Sequence, residues 1–246
     1  MYRVEDTQGQ AFAMKVYRKR VLKHRWVGKG RTMLHSVQNE IKIMEGLEHP
    51  QIVDLIEVID SDDSGKIYMI LELMPGGVLS NKCPMKEEQA KGYFRQIVDA
   101  VFYLHENASI VHRDLKPQNI LIDNSGNLKI SDFGASQGVN GKTDIFTNSA
   151  GTYAFMAPEL MGSAKEFRGK PLDIWALGIT LYFMLEGTSP YNSRSIIDLL
   201  NEVREIELII PAKYSSPLRN LLMKMLEKDP DQRLAIKDIK EHEWLN

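Results

Sequence analysis

Two groups of residues in this sequence ask for a chemical explanation. In "QAFAMKVY", residues 10 to 17, strict alternation puts Phe12, Met14 and Val16 on one face of a strand and Ala11, Ala13, Lys15 and Tyr17 on the other. Lys15 thus rises from a face that two alanines keep low. A cation on a half-buried face is costly unless an anion pairs with it. Glu40 supplies the anion: it falls three residues after Val37 and four before Met44, on the apolar stripe of a helix that Val37, Ile41 and Met44 define. If that helix packs over the strand, each charge solves the other's problem. The competing reading, two charges snorkelling separately into solvent, would suit isolated groups.

The second group decides between them. "IVHRDLKPQNILIDNSGNLKISDFG", residues 110 to 134, carries His112, Arg113, Asp114, Lys116, Asn119 and Asp132. "ILID" and "LKIS" flank the turn "NSGN" and predict a hairpin. A hairpin brings its outer ends together, so Asn119 and Asp132 become neighbours that offer hard oxygen ligands of the kind magnesium prefers. Asp114 and Lys116 lie in the loop leading in.

The elements that must position these groups fall into two textures. Residues 1–73 read mostly as strands, at 2–5, 10–17, 52–59 and 66–73, interrupted by one helix over 33–45 that Gly46 closes. After "MPGG", 74–77, the chain turns helical, with Phe94, Ile97, Val98, Val101 and Leu104 at helical spacing in 86–105 and further helices from 171 to the end. The glycine pair marks the lobe boundary. "IWALGITLYFML", Ile174 to Leu185, is too short for a membrane span and reads as a helix buried on all sides. The irregular stretch from Asp132 to Glu159 is long for a structureless loop and reads as a working part.

A formal charge of −2 over 246 residues offers no bulk attraction for nucleic acid or an anionic membrane. The single cysteine, Cys83, cannot form an internal disulfide and reads as an inert thiol in a reducing, cytoplasmic setting. The N-terminus "MYRVEDTQGQ" lacks the apolar core of a signal peptide.

Taken in order, these motifs resemble the eukaryotic protein kinase catalytic domain of the serine/threonine class, over nearly the whole chain. "AFAMK" resembles the family's strand lysine motif, Glu40 its helix partner, "HRDLKPQN" its catalytic loop and "DFG" its metal-binding motif. "MAPE", 156–159, is similar to the end of the activation segment, "LDIWALG" to the central helix, and Arg233 to the arginine that pairs with Glu159. "FAMKVY", "YMILEL", "GTYAFMAPE" and "RGKPLDIWALGITLY" look closest to the calcium/calmodulin-dependent protein kinase kinases.

The resemblance implies an α+β bilobal fold: an antiparallel-sheet N-lobe with one helix over 1–73, a hinge at 74–77 and a mainly helical C-lobe over 78–246. It implies ATP and Mg²⁺ as cofactors and a protein hydroxyl as acceptor. Lys15 would hold the α and β phosphates and Glu40 would hold Lys15. Ala13 and Leu121 would sandwich the adenine, Leu71 would stand as gatekeeper, and the Glu72 carbonyl and Met74 amide would bond the adenine edge. Asn119 and Asp132 would bind magnesium, Asp114 would orient and deprotonate the acceptor, and Lys116 would steady the transferred phosphate. Lys116 and Thr152 mark the serine/threonine class. Arg113 beside Asp114 implies a loop phosphate, for which Thr147 and Ser149 are the candidates; Asn148 stands three before Gly151, where a threonine is common.

The pattern also breaks. No glycine-rich loop precedes the opening strand, and Gly9 is no substitute, so the sequence reads as a fragment lacking the first strand and that loop. Instead of the Arg-Pro-rich insert of the calmodulin-dependent relatives, residues 18–31 hold seven Arg or Lys and no proline. Tyr153 replaces a proline common in those relatives, and "GGVLSNK" lacks an acid to grip the ribose. Calmodulin is a partner the family implies, but no binding segment for it is visible before Asn246. The expected activity is that of a protein kinase, with other kinases among its substrates; the alternative is a catalytically silent kinase-fold scaffold. A small-molecule kinase is disfavoured by "GTYAFMAPE", which resembles a peptide platform.

Overall fold

Alternating side chains build the first sheet. In the computed structural model, which describes residues 1–26, 32–139, 144–146, 151–161, 166–191, 193 and 195–246, strands β1 (Tyr2–Glu5), β2 (Ala11–Arg18), β3 (Leu55–Ser61) and β4 (Lys66–Glu72) lie antiparallel in the order β1-β2-β4-β3. Gly9, at φ 82°, makes the turn between the first two. The β2–β4 register sets Ala13 against Leu71 and Lys15 against Met69.

One helix is expected in this lobe, and two are found among its described residues. α1 (Lys19–Lys23) follows directly on β2 and buries only Leu22. A single turn is too short to show a periodicity. α2 (Met33–Glu45) matches the expected span. His35 Nδ1 accepts from the Thr32 N–H at 3.2 Å to cap its start, and the Gly46 N–H closes its end on Ile43 and Met44. Val37, Glu40, Ile43 and Met44 are buried, and Ile41 is half-buried.

The third strand begins at Leu55 and not at residue 52. Gln51 to Val53 are diverted to the other lobe: the Val53 N–H donates to the Ile130 carbonyl at 3.0 Å, and the Ile130 N–H donates to the Gln51 carbonyl at 2.8 Å. This bridge, with buried Ile52 beside it, ties the N-terminal sheet to the C-terminal half. Apolarity alone cannot tell a strand of the sheet from such a bridge.

Beyond β4 come β5 (Gly77–Val78), α3 (Glu87–Phe102) with an extra turn over Tyr103–Asn107, β6 (Ile110–Val111), β7 (Ile120–Ile122) and β8 (Leu128–Ile130). β7 and β8 form the predicted hairpin, and β5 adds to it. The stretch from Asp132 to Glu159, expected to be irregular, holds β9 (Gln137–Gly138), paired with β6, and β10 (Ile145–Phe146), paired with β11 (Phe167–Arg168). α4 (Gly169–Glu186) starts two residues ahead of the expected 171 and is buried nearly all round, from Ile174 to Leu181 without a break. α6 (Ser216–Met225) packs on α4, α7 (Ile236–Lys240) on α3, and α5 (Ile196–Glu205) on the short turn Pro158–Met161. The Arg233 guanidinium lies 5.1 Å above the Trp175 ring and grips Glu159 bidentately at 2.7 and 2.9 Å. The result is the expected α+β, two-lobed architecture.

Candidate active site

The site is built outward from a carboxylate in the core. Asp173 on α4 is fully buried and accepts the backbone N–H of His112 and of Arg113, each at 2.8 Å, with His105 Nε2 also at 2.8 Å. A buried carboxylate needs such donors, and here they fix the loop after β6. Arg113 takes a left-handed φ of 69°, a conformation that persists where its surroundings impose it. Its guanidinium meets Gln137 Oε1 at 3.0 Å and the Phe146 ring at 5.1 Å.

His112 locks the loop from the other side. Its Nδ1 accepts from the Asp114 N–H at 3.3 Å, its Nε2 reaches the Ser131 carbonyl at 3.1 Å, and its ring meets Phe133 edge-on at 5.0 Å. Burial pushes its pKa below the ordinary value, outweighing the pull of Asp173. The neutral ring with hydrogen on Nε2 satisfies both contacts.

Asp114 is then presented in a closed polar network. Its Oδ2 accepts from Lys116 Nζ at 2.6 Å and Asn119 Nδ2 at 3.0 Å, and its Oδ1 accepts from the Thr152 hydroxyl at 2.9 Å. Lys116 also donates to Thr152 Oγ1 at 2.7 Å. Gly151 makes that approach feasible, since at φ 112° a Cβ would stand 2.6 Å from the Arg113 carbonyl oxygen. The Asn119 carbonyl accepts from Ser131 N and Oγ at 2.8 and 2.9 Å, which sets Asp132 beside Asn119 as the hairpin argument required.

Across the cleft, Lys15 Nζ donates to Glu40 Oε1 at 2.8 Å and lies 3.4 Å from Asp132 Oδ1. Glu40 is only 3% exposed, so the pair is real and the snorkelling alternative fails. Burial by itself would lower the Lys15 pKa, but Glu40 and Asp132 outweigh it and hold the ammonium charged far above neutrality. The Tyr17 hydroxyl donates to Glu40 Oε2 at 3.3 Å. Ala13, Leu71 and Met74 are buried; Leu121 is half-buried on β7 opposite Val78. Glu72 ends β4, its carboxylate held by Lys129 at 2.7 Å.

Lys15, Glu40 and Asp132 therefore form one cluster, and Asp114, Lys116 and Asn119 another, adjacent through Ser131. Thr147 and Ser149 lie outside the described residues. Three participants were not given these roles from the sequence. The alternation places Tyr17 on the Lys15 face without a task, Thr152 is only a class mark, and Asp173 falls within "LDIWALG" with no role of its own. The first was findable from its two-residue offset, whereas the other two contacts are too distant in sequence for any spacing to reveal.

The donors suit a magnesium ion. Asp132 is half exposed, with one oxygen at a loose 3.4 Å from Lys15, and Asn119 turns its Nδ2 toward Asp114, which leaves its amide oxygen on the opposite side. Magnesium is commonly held by one or two such oxygens together with phosphates, without an all-protein cage. Among the described residues no cluster of three or more His, Cys, Asp or Glu forms such a cage.

Comparison with known proteins agrees with this geometry. The family model described as the protein kinase domain matches residues 1–245. Serine/threonine-protein kinase GRIK2 of Arabidopsis thaliana is 38% identical over 242 residues, covering 96% of this chain and 59% of its own length. A calcium/calmodulin-dependent protein kinase kinase of Caenorhabditis elegans is 38% identical over 222 residues, covering 87% of this chain and 41% of its own. CBL-interacting protein kinase 24 of Oryza sativa subsp. japonica is 36% identical over 248 residues, covering 99% and 52%. The chain thus spans less than two thirds of the length of each of these relatives. It belongs to the protein kinase domain family.

Proposed function

We propose that the chain transfers the γ-phosphate of ATP to serine or threonine hydroxyls of proteins, and that other protein kinases are among its substrates. The observation that carries the first part is the Asp114–Lys116–Asn119–Thr152 network set beside the Lys15–Glu40–Asp132 cluster. In this reaction the bond from the γ-phosphorus to the β,γ-bridging oxygen breaks as a bond to the acceptor oxygen forms, so catalysis is chiefly positioning and charge cancellation. Lys15, kept charged and aimed by Glu40, binds the α and β phosphates. Asp114 orients the acceptor hydroxyl and takes its proton, and Lys116 neutralises charge on the moving phosphoryl group. Asp132 and Asn119 would hold magnesium, which would supply further charge neutralisation on the phosphate oxygens. Ala13 and Leu121 enclose the adenine, Leu71 stands behind it, and the backbone of Glu72 and Met74 meets its edge. A phosphate on Thr147 or Ser149 would pair with Arg113.

The second part is supported by similarity to a relative named as a kinase kinase, and the match to a CBL-interacting kinase supports control by a separate regulator. No helix among the described residues is long and apolar enough to cross a membrane. Burial raises the pKa of the Cys83 thiol to about 11, keeping it protonated. The test is to incubate the chain with magnesium, γ-labelled ATP and a panel of inactive protein kinases. Label on serine or threonine in the activation segment of one of them is the expected result. Label on generic proteins alone removes the upstream role, and no transfer to any protein removes the kinase reading.

A further inference from the structure

A cavity of about 260 Å³ opens between the turn Tyr103–Asn107, the N-terminal part of α4 and the segment from Pro230 to Asp238, and none of the residues assigned to phosphoryl transfer lines it. Its walls are of two kinds. Pro171, Ile174, Pro230 and Ile236 give apolar surface, while Glu106, Arg168, Lys170, Asp231, Arg233 and Asp238 bring charge. Every one of those charges is already answered. Arg168 holds Asp231 at 2.6 Å, Lys170 holds Glu106 at 3.0 Å with Lys237 on the same carboxylate at 2.8 Å, Arg233 is spent on Glu159, and Asp238 accepts the Ala235 N–H at 3.2 Å. A charged guest would have to lose water and break one of these pairs. A neutral guest faces no such cost and gains the apolar walls.

The lining group that lacks an answer is His105. It is 2% exposed, its Nε2 lies 2.8 Å from Asp173 Oδ2, and among the described residues its buried Nδ1 has no hydrogen-bond partner. Asp173 also accepts two backbone N–H groups, so it is the acceptor in this contact as well and the hydrogen sits on Nε2. Nδ1 of the neutral imidazole then keeps a lone pair, and a buried acceptor without a donor is costly. The cavity is the place from which a donor can come.

We infer that this cavity binds an uncharged ring molecule carrying a hydrogen-bond donor, of the phenol or indole class, which donates to His105 Nδ1 and is felt in the catalytic loop. At about 260 Å³ the cavity falls below the range of drug-sized sites, which suits one ring or two fused rings. The route to the loop is one oxygen long: Asp173 Oδ2, which meets His105, also accepts the His112 N–H at 2.8 Å. A donor on Nδ1 polarises the ring and strengthens the Nε2–H bond to that shared oxygen.

Indole is the probe, 1-methylindole is the same ring without its donor, and NMR of the full chain carrying ¹⁵N-histidine is the measurement, with the His105 signals assigned by their loss in His105→Gln. Indole should bind saturably with a Kd of about 1 mM, shift the His105 Nδ1 resonance and move the His112 backbone amide along the same titration curve. 1-Methylindole should bind about fivefold more weakly or worse, the scale of one hydrogen bond. Ala235→Trp and Pro230→Trp, which place bulk on the cavity wall away from His105, should weaken both probes. A His105 Nδ1 that carries a hydrogen in the free chain would overturn the inference, as would absence of saturable indole binding, which leaves an ordered water as the only answer to Nδ1. Equal binding of the two probes, a His112 amide that stays still while His105 moves, or indole binding unmoved in both folded tryptophan variants would each overturn it too. None of these measurements reads phosphoryl transfer, so their failure is distinct from failure of the kinase reading.

Discussion

Asp114 and Lys15 belong to adjacent clusters but are held by different means. Around Asp114 the loop is pinned through its main chain: two consecutive N–H groups end on buried Asp173, a third on His112, and the Asn119 carbonyl receives Ser131. Around Lys15 the bonds run from side chain to side chain, joining β2, α2 and the start of the "DFG" segment. The first arrangement is as rigid as the core helix beneath it. The second exists only while three separate elements stay in register, so it is the half in which a movement of α2 would switch the site.

Asp173→Ala separates the two halves most sharply. It strands two buried backbone N–H groups and the His105 ring, and the expected loss of stability is roughly 3–5 kcal/mol. Urea denaturation measures it. A loss below about 1 kcal/mol would mean the loop is held otherwise and the contrast is misplaced.

Asp114→Asn should act on chemistry alone. The amide is nearly isosteric, so the fold persists while turnover falls ~10²-fold or more, the scale of general acid–base assistance. Near-normal turnover in a folded variant would remove Asp114 from its assigned role.

Why the two halves differed in legibility follows from the same contrast. The Lys15–Glu40 pair was readable because each residue violates its own element's pattern, a cation on a low face and a carboxylate on an apolar stripe. The Asn119–Asp132 pairing was readable because a hairpin fixes its ends geometrically. Asp173 and Thr152 were not, since each acts on Asp114 or its loop from dozens of residues away, through contacts that only the packed fold creates. Likewise Ile52 and Val53 looked like strand but serve as an inter-lobe bridge, because burial alone does not say which sheet a residue joins.

Tyr17→Phe probes the side-chain half with a smaller change. It deletes one long hydrogen bond to Glu40 and leaves the Lys15 contact in place. About 1 kcal/mol of positioning should be lost, seen as a roughly fivefold fall in kcat/KM for ATP with the melting temperature nearly unmoved. A fall in stability without a kinetic effect would make Tyr17 a packing residue.

The smallest effect tests the main-chain half through pH. His112 is buried and its folded pKa lies below its ordinary value of 6.5. Below 6.5 the unfolded chain binds a proton that the folded one refuses, so stability that is full above 6.5 is lost as pH falls toward the folded pKa. One proton limits the slope to about 1.4 kcal/mol per pH unit. His49 and His242 are also shifted downward and add a background slope of the same sign, so the comparison must be differential. His112→Phe keeps an aromatic ring against Phe133 and removes the titration, so its melting temperature should vary less steeply than the parent's over roughly pH 5.5 to 7.5. Equal slopes would mean that His112 takes up its proton in the folded state, which puts a hydrogen on Nδ1 against the Asp114 N–H and contradicts the rigid loop on which the comparison rests.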